Sequence, residues 1–403
     1  MCHIGQPYGG VARSHAGAGR RLGGVTRLLD LRHMHVHLLV PDLLRKDYLA
    51  PDRRHYLLPD SDNTAPALPC AEMILARGRR TTIGDSLYGW LAARHGLPEA
   101  ALTAATSLLG DGGTPGTAHW LRADPVQLTV DRDALVLADA CVFSITADEA
   151  TALAQTVNAH FAPTLAFDVT TPLRWYARLN EGFAATASAT AIQWTPVHAA
   201  RGQAIQGNLP QGAAAMRWNA IANEVQMLLH EHPVNTAREA RGEPLINSLW
   251  FWGAGGIATP EARAFDQVHA NDPVIRGLVQ SAGGSASALP ANAPEWLRIA
   301  RDSGRALVVL DGLSAPAAYA DHAGWMTQAH HIEREWLDPL LEALRRGRIG
   351  MLSITALGSR DSSANEESGS SGIEVEVVRG DLRRLWRRIK PLERYLNLTG
   401  ERT

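Results

Sequence analysis

The chain has 403 residues, 45% of them hydrophobic and 20% charged, with a formal net charge of −2. That composition is globular and carries no overall electrostatic pull toward nucleic acid or an anionic membrane. Cys2, Cys70 and Cys141 lie too far apart for a CxxC zinc pattern or a disulfide framework, which points to a reducing, cytoplasmic setting, and no apolar run reaches the roughly 20 residues that span a bilayer.

Residues 1–33 are rich in Gly and Arg, without periodicity and without the apolar stretch of a secretory signal. They are expected to be a disordered extension, or translated sequence upstream of a start at Met34. "MHVHLLV" (34–40) predicts the first strand, with His33, His35 and His37 on one face as a conceivable metal-ligand row. Residues 71–78 and 85–94 carry helical apolar spacing. "LLGDGGTPG" (108–116) reads as a loop, and its Gly-rich part could nest an anion. Short β-rich runs follow in 119–138 and 164–179, with an amphipathic helix over 147–162 between them.

From Arg217 the pattern is helix, the strand "NSLWFWG", helix 273–283, strand 305–312, helix 331–347 and strand 348–355. Residues 358–372 are low in complexity and expected to be mobile. A strand at 373–378 and a basic helix over 381–396 complete the chain. Strands alternating with helices predict an α/β fold, a doubly wound and mostly parallel sheet with an inserted smaller α+β domain. The expected divisions are 34–116 and 216–403 for the two parts of the core, with 117–215 as the insertion.

The densest candidate site is "RWNAIANEVQMLLHEHPVNTAREARGEPLINSLWFWGAGG" (217–256). Beside the apolar stripe of its helix run Asn219, Asn223, Gln226 and His230, uncharged groups that suit a cleft better than a solvated face. Asn235, Arg238 and Arg241 follow. The two arginines share a helical face and could grip a phosphate or carboxylate, although salt bridges within the chain explain them equally simply. Asn247 opens a strand that is apolar on both faces, as a central parallel strand would be. Gly253, Gly255 and Gly256 close it, where open α/β sheets admit ligands.

The order HP-x-N-x-x-R followed by N-x-x-W-x-W-G-x-G resembles archaeal-type cofactor-independent phosphoglycerate mutases of the alkaline phosphatase-like superfamily. The longer run from "LPQGAAAMRWNAIANEVQMLLHEHPVN" through "NSLWFWGAGG", together with "GTPGTAHWLRADPVQLTVDRDALVLAD", more closely resembles the RpfE-type regulatory proteins of proteobacteria. The mutase resemblance implies two metals held by Asp and His and a phosphoryl-carrying serine. Here the first strand ends "LLVPDLL" with Asp42 alone. "APAAYADHAG" has Ala317 at an expected Asp position, with Asp321 and His322 nearby, and "ALGSRD" replaces an Asp-His pair. Ser86 and Ser107 are available serines without a matching motif.

The expectation is therefore a non-catalytic regulatory or ligand-binding protein on a mutase-like scaffold. It would bind a small anionic or phosphorylated ligand, need no cofactor, and bind neither nucleic acid nor membrane, with a protein partner left open. The alternative is a phosphomutase or phosphatase using Mn²⁺ or Mg²⁺, for which Asp42, Asp111, Asp311, Asp321 and His322 would have to converge.

Overall fold

The computed structural model describes residues 33–49, 67–84, 86–187, 192–300, 303–357 and 372–399. The expected extension (1–33, save His33) and the expected mobile loop (358–372, save Gly372) lie outside these. Among the described residues no helix is long and apolar enough to cross a membrane.

The described residues build two sheets. Seven strands form the larger one: β1 (His33–Pro41), β2 (Arg79–Ile83), β8 (Gln267–His269), β9 (Ser285–Ser287), β10 (Ser303–Val309), β11 (Met351–Leu357) and β12 (Gly372–Val378), ordered β2-β12-β11-β1-β10-β8-β9. The block from β11 through β9 is parallel, while β12 is antiparallel to both β11 and β2. Val36, Leu38, Ala306, Val308, Leu352 and Ile354 face one core. Leu39, Leu307, Val309 and Val268 face another. A strand apolar on both sides is what burial between two layers selects.

The second sheet is antiparallel. It comprises β3 (His119–Asp131), β4 (Ala134–Ala138), β5 (Leu165–Thr171), β6 (Arg174–Leu179) and β7 (Ser248–Gly255). Here the structure corrects the sequence reading. The tryptophan-rich strand β7 is not a strand of the parallel sheet. It pairs antiparallel with β3, through Trp250 opposite Asp124 and Trp252 opposite Arg122. The antiparallel sheet therefore draws in residues 248–255. Trp250 and Trp252 fill the core between the two sheets. Leu249 and Phe251 pack on the outer core with Trp218, Ile221 and Val225. Apolar residues on both faces report burial on both faces; they say nothing about the direction of neighbouring strands.

The helices used below are α1 (Pro69–Arg77), α2 (Leu87–Arg94), α3 (Ala104–Gly110), α4 (Ala147–Phe161), α5 (Ala215–His230), α6 (Pro233–Ala240), α7 (Pro273–Ser281), α8 (Ala293–Ile299) and α9 (His322–Ile332). Helix α9 continues through a π-turn at Glu333–Leu337 into α10 (Asp338–Arg345), so the expected helix 331–347 starts nine residues earlier. Helix α3 occupies part of the expected loop 108–116. Its Gly110 is not a helix stop. A Cβ there would lie 1.8 Å from the Pro273 carbonyl oxygen, so the glycine permits α3 to press on α7. The edge strand β2 was not anticipated from its polar sequence "RRTTI".

The basic helix expected over 381–396 is also absent. The segment forms a 3-10 turn at Asp381–Arg383 and a second 3-10 stretch at Leu392–Thr399. Arg383 and Arg387, and Arg384 and Arg388, would be like charges four apart on a helix, and Pro391 disfavours helix just before it. Instead the Arg387 guanidinium donates to the Gly78 carbonyl at 2.8 Å.

Candidate functional site

The residues predicted as one site are divided by the fold. Asn235 is buried and works as a clasp. Its amide donates to the Leu229 and Ile246 carbonyls and accepts from the Ile246 N–H, each at 2.8 Å. Arg238, whose side chain is 2% exposed, donates to the Pro244 and Ser144 carbonyls and to Glu149, the capping-box residue of α4. Arg241 pairs with Glu149 and Glu243 at the surface. The arginines thus tie α6 to α4. Arg238→Ala leaves two carbonyls and part of a carboxylate without donors, and it is expected to cost about 3 kcal/mol in urea unfolding. A loss under about 1 kcal/mol would show that the clasp does not stabilise the fold.

The glycines serve packing as well. Gly253 and Gly255 have φ of +68° and +156°, and a Cβ on Gly255 would meet the Thr103 side chain at 2.6 Å. Thr103, in turn, donates to the Gly256 carbonyl at 2.8 Å. The end of β7 is therefore covered by the start of α3 and does not open at the rim of the parallel sheet. Of the amide stripe, Asn223 is exposed and Asn219 half-buried. Gln226, His230 and Asn247 line a shallow depression of about 370 Å³ with Met227 and Glu231. The Asn247 amide is occupied, bonding to both the N–H and C=O of Leu128.

A richer polar cluster lies at the carboxyl ends of the parallel strands, where such sheets place ligands. Asp42 follows β1, Asp311 follows β10, and Asp272 follows β8 as the N-cap of α7. Asp42 adopts φ +61°, a strained backbone for a residue with a Cβ. Its carboxylate accepts from Ser314 at 2.7 Å, and burial raises its pKa. Tyr88, at the start of α2, donates to Asp272 at 2.8 Å.

From the connection between β6 and α5 come His198 and Arg201. The His198 ring stands edge-on to Tyr88, with centroids 4.8 Å apart, and lies near Trp252. Burial lowers its pKa to about 4, so the imidazole is neutral at physiological pH. Arg201 is bound to Asp139 at 2.7 Å, and Asp139 also accepts from Tyr319. The field of Arg201 reaches Asp42, Asp311 and His198.

Asp42 pairs with Arg45 and Asp139 with Arg201, whereas among the described residues neither Asp272 nor Asp311 has an ion-pair partner; Asp272 is held instead by Tyr88 and two backbone N–H groups. Burial, and then the neighbouring Asp272, raise the Asp311 pKa from 3.8 to about 6. Two carboxyls in a poorly hydrated space cannot both ionise cheaply. A perturbed acid and a buried neutral histidine that both feel Asp272 and Arg201 mark a candidate site.

A second network joins α3, β3, β6 and α7. Arg122 donates to Asp124 and to Ser107, and Ser107 bonds the Tyr176 hydroxyl at 2.9 Å. Asp111 accepts two bonds from Arg174, one from Tyr176 and one from Arg276. Burial opposes its charge, but these donors outweigh burial and hold its pKa below the ordinary value. Ser107 is buried beneath Arg122, and Ser86 caps α2 while donating to Glu99. Asp321 caps α9, and His322 stacks on Tyr48 with ring centroids 5.3 Å apart.

Of the acids and histidine named for a dinuclear centre, Asp42 and Asp311 share this cluster, whereas Asp111 is tied to Arg174 and Arg276, Asp321 caps α9 and His322 stacks on Tyr48. Among the described residues no three His, Cys, Asp or Glu side chains form a metal-binding group. His35 and His37 point at Ser353 and Thr355, 2.7 Å away in each case, and serve the sheet interior. Sequence reasoning missed Tyr88, His198, Arg201, Asp139 and Asp272. Apart from His198 and Arg201, three apart in "HAAR", each stands alone in its segment, and only the stacking of the sheets groups them.

Residues 121–235 match the family model described as 2,3-bisphosphoglycerate-independent phosphoglycerate mutase. The chain is 38% identical over 60 residues to a "probable 2,3-bisphosphoglycerate-independent phosphoglycerate mutase" of Geobacter sulfurreducens. It is 29% identical over 85 residues to the 2,3-bisphosphoglycerate-independent phosphoglycerate mutase of Methanosarcina mazei. These stretches cover 15% and 21% of this chain, and the same shares of the two relatives. The PH0037 protein from Pyrococcus horikoshii shares the fold, with a TM-score of 0.53 and 13% identity over 91% of this chain and 92% of that one. The cofactor-independent phosphoglycerate mutase from Thermoplasma acidophilum aligns with a TM-score of 0.43 and 15% identity over 92% of this chain and 96% of that one.

The chain is thus an α/β protein with a mostly parallel central sheet, and its residues 121–235 are similar to the cofactor-independent phosphoglycerate mutase family. That segment contains Arg122, Asp139, His198 and Arg201. It does not contain Asp42, Asp272 or Asp311.

Proposed function

We propose that the chain is a regulatory, ligand-binding protein on a phosphoglycerate mutase-like scaffold. Its cleft at the carboxyl ends of the parallel strands takes a small phosphorylated anion without transferring the phosphoryl group. The observation that carries this reading is the dispersal of the residues a mutase mechanism would need. Asp111 is tied to two arginines, Asp321 caps a helix, His322 stacks on Tyr48, and Ser107 is sealed beneath Arg122. Besides Asp42, held by Ser314, and Asp272, held by Tyr88 and its helix N-terminus, the cleft offers Arg201, which Asp139 orients, neutral His198, and Asp311 with its pKa of about 6. They suit recognition of an oxyanion by one cation, one imidazole N–H and one carboxyl proton. The regulatory assignment rests on the resemblance to RpfE-type proteins.

Calorimetric titration with 3-phosphoglycerate tests the proposal. The bound anion favours protonated Asp311, so this residue strengthens binding as pH falls through about 6. The expected results are saturable binding, its loss in Arg201→Ala, and a pH dependence whose Asp311 component disappears in Asp311→Asn. No turnover is expected with Mn²⁺ or Mg²⁺. Phosphomonoester turnover that requires either metal and is lost in Asp42→Ala would establish the enzymatic alternative instead.

A further inference from the structure

The segment "RRLWRRIK" (383–390) presents an unusual surface. Leu385 and Trp386 are 75% and 77% exposed, and Ile389 is 43% exposed. Arg383, Arg387, Arg388 and Lys390 are exposed around them. The segment is held in place, because Arg384 and Arg387 donate to the carbonyls of Arg77 and Gly78 and Arg384 also pairs with Asp381. No carboxylate among the described residues forms an ion pair with Arg383, Arg388 or Lys390. Arg79 of edge strand β2, exposed and 4.0 Å from the Glu376 carboxylate, follows the anchoring carbonyls directly. The apolar tip and the cations therefore share one surface.

We infer that this surface docks peripherally on an anionic phospholipid membrane, with Trp386, Leu385 and Ile389 entering the headgroup boundary and the cations meeting lipid phosphates. The charge selects an anionic partner. The apolar composition selects lipid among anions. A tryptophan could stack on a nucleobase, but exposed leucine and isoleucine gain little there, whereas an acyl boundary takes up all three. The chain's overall charge of −2 does not oppose this, since attraction is set by charges within about a Debye length of the surface. Neither the cleft nor its ligand enters this reading.

The test is sedimentation of the full chain with vesicles of phosphatidylcholine alone and of phosphatidylcholine mixed with phosphatidylglycerol. Binding is expected only to the mixed vesicles, weakening as salt is raised. The triple variant Arg383→Gln, Arg388→Gln, Lys390→Gln removes cations that have no internal partner. It should lower partitioning on the order of 100-fold, about fivefold per charge, with unchanged thermal unfolding. Trp386→Ser should weaken vesicle binding severalfold while leaving binding to a single-stranded oligonucleotide unchanged. Failure to sediment with mixed vesicles would overturn the inference. So would oligonucleotide binding as tight as vesicle binding and equally sensitive to Trp386→Ser.

Discussion

Gly277→Ala is expected to destabilise the protein by more than about 4 kcal/mol or to prevent its accumulation in folded form. A Cβ at this position would lie 1.8 Å from the Thr106 carbonyl oxygen and 3.0 Å from the Gly110 nitrogen. Its reciprocal neighbour Gly110 is pressed equally close to the Pro273 carbonyl oxygen. The obstructing atoms are backbone in two helices, so no rotamer change relieves the clash, and α3 and α7 must separate. These helices also set the site. Helix α3 holds Ser107 and leads into Asp111, while α7 is capped by Asp272 and carries Arg276, which returns to Asp111. Gly207→Ala is the control. It has no atom within 4 Å of the added Cβ and should stay within about 0.5 kcal/mol of the parent. Urea unfolding that places Gly277→Ala within about 1 kcal/mol of the parent would refute the contact.

Asp311→Asn is expected to act in the opposite direction, stabilising the protein by roughly 2 kcal/mol near pH 8. The carboxyl has a pKa of 3.8 in its ordinary environment and about 6 in the fold. Folding therefore favours its protonated form. The penalty is absent below about 3.8, grows as pH rises, and is complete above about 6. The full shift corresponds to about 3 kcal/mol, and partial hydration of the cleft reduces it. The neutral amide is free of this cost at every pH. Unfolding measured at pH 8 and again below 3.8 should show the stabilisation only in the first case. His198, whose depressed pKa opposes folding as pH falls from 6.5 toward 4, is common to both proteins and largely cancels in the difference. Equal stability of parent and variant at pH 8 would mean that Asp311 is hydrated or paired. A residue that weakens the fold where it stands is better explained by binding than by packing.

These two residues also show where sequence reading stops. The parallel strands β1, β10 and β11 were legible, because a run such as "ALVVL" (306–310) is apolar at every position and must be buried on both faces. Helix α4 was legible from its spacing, and its Thr146–Glu149 capping box fixes the start. The strand "NSLWFWG" was recognised as doubly buried but assigned to the wrong sheet. Burial depends on what lies above and below a strand, and sequence carries that signal. Pairing depends on which edge it meets, and no local pattern encodes that.

The candidate site divides in the same way. The conspicuous Asn/Arg cluster at 235–241 sits close together in sequence because it closes a local connection between α5, α6 and β7. The cleft residues Asp42, Tyr88, His198, Arg201, Asp272 and Asp311 are spread across 270 positions. Each looks unremarkable in its own segment.

By itself the sequence determined the α/β class, most of the elements, the two-sided burial of the core strands, and the lack of an apolar run long enough to span a bilayer. Propensity, periodicity and capping are local quantities, and a chain displays them residue by residue. Only the tertiary structure decided that β7 joins β3, that Gly110 and Gly277 bring two helices into backbone contact, and that Asp311 is left beside Asp272 without a cation. Those facts follow from loop closure over long separations. Distant residues meet there because other parts of the chain pack well, and the energy that sets their pKa values arises only after they have met.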